Sequence, residues 1–199
     1  MPQEGESPLV SDRGLQKEVL DWCREILRCA LKSAPEPPGP DVPGLGGVFV
    51  TLKNSGGLRG CIGRFSWEMP LKSTIADLTR ASAFEDYRFP PLTAPELADL
   101  EITVSVLSPP EPLDSLDSLV IGRDGLILLH PRGKGVLLPV VAEEYGWGPR
   151  EFAEHTSRKA GLNPDAYLDP AAQLLVFRAP AFSTSDFQAD TEAGSPPAG

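Results

Sequence analysis

Gly47-Val48-Phe49-Val50-Thr51-Leu52-Lys53, then Asn54-Ser55-Gly56-Gly57, then Leu58-Arg59-Gly60-Cys61-Ile62-Gly63-Arg64-Phe65 reads as strand, tight turn and strand. The Asn/Ser/Gly cluster supplies the positive-φ positions that a hairpin turn requires, and the flanking apolar runs supply the strands. Downstream, Pro70 suits the first turn of a helix running to about Phe84, with Leu71, Ile75 and Leu78 on one face. Asp86-Tyr87-Arg88-Phe89-Pro90-Pro91-Leu92 breaks that helix. Leu100, Ile102, Val104 and Val106 then alternate with Glu101, Thr103 and Ser105, the pattern of a strand buried on one face in an antiparallel or mixed sheet.

The second half repeats this plan. Gly125 to His130 reads as a strand, Pro131-Arg132-Gly133 as a turn and Lys134 to Leu138 as the returning strand. Helices are expected over Val140 to Tyr145 and Pro149 to Ala160, the second capped by Gly161, and a last strand over Gln173 to Arg178. Lys134-Gly135-Val136-Leu137 falls where Arg59-Gly60-Cys61-Ile62 falls in the first half. Two copies are too few for a solenoid, so the expectation is an α+β fold whose duplicated halves share one sheet and one core.

Residues 1–12 are polar and read as flexible. A single domain is expected over 13–182: an amphipathic helix at 13–32, a Pro/Gly-rich connector at 33–46, a first half at 47–108 and a second at 120–182. The connector is expected to leave helix and hairpin as separately placed pieces. Residues 183–199 are expected to be disordered, since nothing large and apolar follows Phe187.

The 199 residues include 28 acids against 18 bases, a net charge of −10, which argues against gripping a nucleic-acid backbone. No stretch approaches the ~18 to 20 consecutive apolar residues of a membrane span; Val136 to Ala142, the longest candidate, contains Pro139. The start lacks the basic and apolar segments of a secretory signal, and three cysteines make no disulfide framework, so a reducing cytoplasm is expected. With no CxxC and only His130 and His155, no metal site is assembled from spacing, and no cofactor is expected.

The stretch with most chemical promise is Leu58 to Phe65. Alternation along a strand puts Arg59 and Cys61 on one face and Leu58, Ile62 and Arg64 on the other. A guanidinium near a thiol favours the thiolate, which is the nucleophile, while Gly60 and Gly63 leave room for another group to approach. Against this, a cysteine in an apolar strand ordinarily serves as a small hydrophobe. Cys23 and Cys29 lie on the first helix, and neither histidine has a partner that the sequence names. Bases predominate between Lys53 and Arg88, whereas residues 90–121 carry acids alone. This segregation suits an anion-binding lobe beside an acidic face, although a charge run is ordinarily a solvated surface. Gly122-Arg123-Asp124-Gly125 and Arg132-Gly133-Lys134-Gly135 match no phosphate-binding loop and read as turns.

Gly47-Val48-Phe49-Val50-Thr51-Leu52, Leu58-Arg59-Gly60-Cys61-Ile62-Gly63, Arg88-Phe89-Pro90-Pro91-Leu92, Leu137-Leu138-Pro139, Gly146-Trp147 and Lys159-Ala160-Gly161-Leu162 together resemble, in order and spacing, the AMMECR domain family of the AmmeMemoRadiSam system, over roughly Leu15 to Phe182. The resemblance implies two related halves around a barrel-like, mainly antiparallel sheet. It also implies company: a Memo-like protein, of a fold resembling non-haem iron extradiol dioxygenases, and a radical S-adenosylmethionine (SAM) protein. It brings no settled reaction. Only Arg59, Gly60, Cys61 and Gly63 carry over as a motif, and Ser157 and Val140 stand where related bacterial sequences often have Cys and Gln.

Two functions are therefore expected in competition. In one, the chain is an enzyme or enzyme component, with Cys61 and Arg59 catalytic and a small anionic substrate admitted by Gly60 and Gly63. In the other, it is a non-catalytic adaptor docking those partners through the same hairpin. A nucleic-acid-binding factor is the weakest alternative. In either case the functional surface is expected around Arg59, Cys61 and Arg64, completed by Arg88 and by His130 or Lys134 from the second hairpin.

Overall fold

In the computed structural model, which describes residues 7–187, Ser55 and Gly56 take φ of 49° and 78°. Two successive left-handed residues give the turn a twist that matches its strands, so the chain folds back at once. The paired strands are β1 (Gly47–Asn54) and β2 (Gly57–Arg64), antiparallel, with Val50 opposite Ile62, Thr51 opposite Cys61 and an irregularity at Leu52/Lys53. The helices are α1 (Arg13–Leu31), α2 (Leu71–Phe84), α3 (Pro139–Glu144) and α4 (Pro149–Lys159). The later strands are β3 (Leu100–Leu107), β4 (Glu111–Pro112), β5 (Asp124–His130), β6 (Gly133–Leu137), β7 (Gln173–Arg178) and β8 (Ala181–Ser183). None of the described helices is long and apolar enough to cross a membrane.

The expected single barrel-like sheet does not form. Among the described residues there are two four-stranded sheets and no closed barrel, ordered β2-β1-β3-β8 and β4-β7-β5-β6. Among the described residues, 7–106 together with 180–187 make one compact unit, and Leu107–Ala179 makes a second. Alternation along a strand tells which side chains share a face, but not whether two sheets join edge to edge.

In the first unit, Asp12 caps α1 by accepting from the Leu15 N–H at 3.0 Å. Val19, Leu20, Cys23, Ile26 and Leu27 of α1 share one core with Leu71, Ile75 and Leu78 of α2. The inward residues of the sheet, Val48, Val50, Leu52, Leu100, Ile102 and Val104, complete that core. The connector is fastened rather than free: the Trp22 indole donates to the Pro37 carbonyl at 3.1 Å and Lys72 to that of Gly39 at 2.9 Å. The expected flexible start already carries structure, because Pro8–Val10 forms a 3-10 turn with Leu9 fully buried. At the other end Phe182 and Ser183 are buried in β8 and Phe187 packs on the core. The remainder of those two expectations, 1–6 and 188–199, lies outside the described residues.

In the second unit, Leu119, Leu126, Ala142, Phe152 and Ala153 form a smaller core with Leu137, Trp147, Tyr167 and Val176 around it. Gly161, at φ 75°, follows α4 as the left-handed cap its position predicts. The two sheets share an order: the return strand of each hairpin lies at an edge, its first strand is next, and the strand after the helix follows.

Candidate functional site

β2 is an edge strand, and its two faces differ in kind. Gly60 and Ile62 face α2, where the Ser82 hydroxyl accepts from the Ile62 N–H at 3.0 Å and donates to the Val50 carbonyl at 2.8 Å. One helix side chain thus spans two paired residues of the hairpin. Cys61 points the other way, half-buried, its Sγ 3.3 Å from Thr51 Oγ1 directly across the ladder.

The open edge at Cys61 is filled by an ion pair from the loop after α2. Asp86 Oδ2 accepts the Cys61 N–H at 2.9 Å, and Arg88 Nη2 donates to the Cys61 carbonyl at 3.1 Å. Between themselves, Arg88 Nε lies 2.9 Å from Asp86 Oδ1 and Nη2 2.7 Å from Oδ2. Asp86 is buried, yet Arg88 foremost, helped by the N–H groups of Cys61 and Arg88, holds its carboxyl far below the usual carboxylate range. Both backbone groups of Cys61 are satisfied by charged partners, and so its sulfur is placed without being part of the core.

Arg59 does not support the sulfur in the way its strand position suggests. Its Nε lies 2.5 Å from Glu96 Oε1 and its Nη2 3.3 Å from Oε2, in the turn that precedes β3. Glu96 also accepts from the Thr93 amide and hydroxyl at 2.8 and 2.7 Å, and Arg59 first, then Thr93, lowers its carboxyl to about 2. The Arg59 side chain is only 11% exposed, and its third nitrogen, Nη1, is buried with no hydrogen-bond partner. Arg59 and Arg88 are therefore both charge-compensated.

Neither glycine borders an opening. A Cβ on Gly60 would meet the Ser82 carbonyl oxygen at 2.0 Å, and one on Gly63 would meet the Phe49 ring at 2.1 Å. Both positions lack a side chain because another group already fills the space. Arg64 belongs to the α2 side, 41% exposed, with Nη1 4.0 Å from Asp77, and does not join the Cys61 cluster. Arg88 does join it, as an anchor of the strand.

His130 and Lys134 lie in the second unit. The His130 side chain is almost fully buried, with Nε2 3.3 Å from Asp169 Oδ2 and Nδ1 accepting from the Arg132 N–H at 3.1 Å, so neither nitrogen is spare. Lys134 is exposed on β6. His155 has the partner that sequence left unnamed: its ring stacks on Trp147 at 3.7 Å and 6°, and Tyr145 stacks on Trp147 at 4.8 Å.

The other cysteines differ sharply from Cys61. Cys23 is fully buried, and burial pushes its thiol up to about 12, while Cys29 Sγ lies 3.8 Å from Glu25 Oε1. Among the described residues, no group of three or more His, Cys, Asp or Glu is arranged to hold a metal ion.

What sequence missed is Asp86 and Glu96. The first read as a helix stop and the second as one acid among several. The available signal was the acid–x–base spacing of Asp86 and Arg88 beside the Pro-Pro pair.

The family model described as AMMECR1 matches residues 20–182. A protein of Methanothermobacter thermautotrophicus is 44% identical over 142 residues, covering 68% of this chain and 74% of that one. One of Thermococcus gammatolerans is 40% identical over 187 residues, covering 81% and 90%. The crystal structure of the uncharacterised protein PH0010 from Pyrococcus horikoshii is similar with a TM-score of 0.75 at 34% identity, covering 87% of this chain and 93% of that one.

Proposed function

The chain belongs to the AMMECR1 family, and from that premise we propose that it is a component of an enzyme in which the Cys61 thiol is the reacting group. The observation that carries this reading is the double anchoring of the Cys61 peptide by Asp86 and Arg88, with its sulfur left outside the core. A nucleophile needs a fixed position and an approach path; the arrangement supplies the first, and a Cys61 that is only partly buried is consistent with the second. Arg88, not Arg59, brings the guanidinium bonded to the Cys61 residue itself. The work is placed in a reducing cytoplasm, consistent with three free cysteines, and the Memo-like and radical SAM proteins implied by resemblance act with it. An anionic substrate, as the charge pattern suggests, would find Arg59 and Arg88 already neutralised by Glu96 and Asp86.

One observation favours the adaptor. Tyr87 is 95% exposed on a loop held by Asp86, with the Phe89 N–H donating to the Asp86 carbonyl at 3.0 Å and the Leu92 N–H to that of Ala83 at 2.9 Å. A rigidly displayed aromatic is the kind of anchor that protein interfaces use. Cys61→Ser and Tyr87→Ala separate the two readings. A thiol enzyme reconstituted with both partners loses turnover in the first variant and keeps it in the second; an adaptor keeps partner capture in the first and loses it in the second. Full turnover in Cys61→Ser rejects the thiol reading.

A further inference from the structure

We infer that an open cleft beside Trp22, within the first unit, binds a small monocarboxylic acid with an apolar body, its carboxylate on Lys72 and its body against Trp22, Pro70 and Ala76. The site is independent of Cys61 and of the chemistry proposed there.

The cleft forms where the Pro-rich connector passes between α1 and α2. The Pro37 carbonyl takes the Trp22 indole N–H, and a Cβ on Gly39 would fall 2.2 Å from the indole ring, so the connector backbone lies directly against it. The first turns of α2 bring Lys72, Ser73 and Ala76 to the same place, with Pro70 just before them. The space between these pieces is about 370 Å³, lined by Trp22, Glu36, Pro70, Lys72, Ser73 and Ala76. That volume is at the low end of small-molecule sites and suits a compact ligand rather than a folded partner.

The charges in the lining select the ligand. Lys72 is half-buried, with Nζ 2.9 Å from the Gly39 carbonyl oxygen and 5.9 Å from the Trp22 ring centroid, and it makes no ion pair among the described residues. An ammonium carries three N–H donors, and that carbonyl takes one. Ser73 Oγ donates to the Pro70 carbonyl at 3.2 Å, which leaves Lys72 as the available side-chain donor. Glu36, the other charge in the lining, is held by Arg80; Arg80 also pairs with Asp77 at 2.7 Å, and Asp77 lies 4.0 Å from Arg64. Those two acids and two arginines cancel, so the lysine is the charge left without a counter-ion.

This combination separates ligand classes. A cation would meet Lys72, and a neutral apolar molecule would bury an ammonium without giving it an acceptor. A phosphate dianion brings more charge than one lysine balances and nothing for the indole, proline and alanine to cover. A monocarboxylate on an apolar body satisfies both parts of the lining at once.

The test uses phenylacetate and its neutral counterpart phenylacetamide, titrated into the full chain and followed by the indole N–H signals of the three tryptophans in nitrogen–proton NMR spectra. The Trp22 signal is identified by its loss in Trp22→Phe. Phenylacetate should move that signal, and not those of Trp67 and Trp147, with a dissociation constant on the order of 1 mM, as befits a ligand of so few atoms. Phenylacetamide should bind about tenfold more weakly, the difference being one charge-assisted hydrogen bond. Lys72→Met keeps an apolar stem beside the indole and removes the charge, so phenylacetate should weaken about tenfold while phenylacetamide is unchanged. If Lys72→Met does not fold by circular dichroism, the comparison of acid with amide in the native chain decides. A Trp22 signal unmoved by phenylacetate, equal affinity for acid and amide, or undiminished phenylacetate binding in a folded Lys72→Met overturns the inference and leaves the reading of Cys61 untouched.

Discussion

A β-carbon placed on Gly60 would lie 2.0 Å from the carbonyl oxygen of Ser82, so β2 and α2 meet backbone to backbone. The second unit has the same kind of contact, with a Gly135 Cβ falling 2.2 Å from the Thr156 carbonyl oxygen on α4. Neither oxygen is the end of a flexible side chain, so an added methyl must move a helix.

Gly60→Ala should therefore destabilise by about 2 to 3 kcal/mol, at the upper range of overpacking, and Gly135→Ala by a comparable amount. Urea unfolding curves measure both. A Gly60→Ala midpoint equal to that of the parent would show that α2 yields freely.

Ser82→Ala removes the hydroxyl that links the Ile62 N–H with the Val50 carbonyl. Two hydrogen bonds disappear at a paired position of the β1–β2 ladder, for an expected loss of about 1 to 3 kcal/mol. Amide exchange at Ile62 should accelerate in the variant more than exchange in α1.

Acid should weaken the first unit through its two paired carboxylates. Both have folded-state pKa values below their unfolded ones, so the stability they contribute is present above the unfolded values and is lost as pH falls. For Glu96 the window runs from its ordinary 4.5 down to about 2. Denaturation midpoints taken across that range should fall, and the fall should be shallower in Glu96→Gln. A parallel slope in that variant would remove Glu96 from the account.

Thiol labelling should separate the cysteines by environment. Cys23, fully buried with its thiol pushed up to about 12, should label only as the chain unfolds, at a rate that tracks global opening. Cys61 should label in the native state. Mass-spectrometric rates at the two sites, compared with and without sub-denaturing urea, decide this; equal protection of both returns Cys61 to the core.

The hairpin was legible because Asn54-Ser55-Gly56-Gly57 has a local physical meaning: left-handed residues between apolar runs permit little else. The strand from Leu100 was equally plain, since its alternation is complete. Arg59's partner was not legible. Glu96 lies 37 residues away, and its spacing after Thr93 marks a capping box without pointing to a distant arginine. The glycines misled for a related reason, because the absence of a side chain signals that space is needed without saying whether a ligand, a helix carbonyl or a neighbouring ring takes it. Gly60 and Gly63 turned out to be the last two cases.

The ion pair at the rim of β2 also bears on self-association. A strand from a second molecule pairing along the middle of β2 would need the Cys61 N–H and carbonyl, and those two groups are already held by Asp86 and Arg88. An intruding chain would have to displace a charged pair to gain two neutral bonds, an unfavourable exchange. Once acid protonates Asp86 the hold loosens, and the rim becomes a template for intermolecular pairing. Because Arg88 holds the Asp86 carboxyl far below the usual carboxylate range, that template opens only in strong acid, and aggregation there should begin at this edge, with the hairpin carrying Cys61 as its first point of contact.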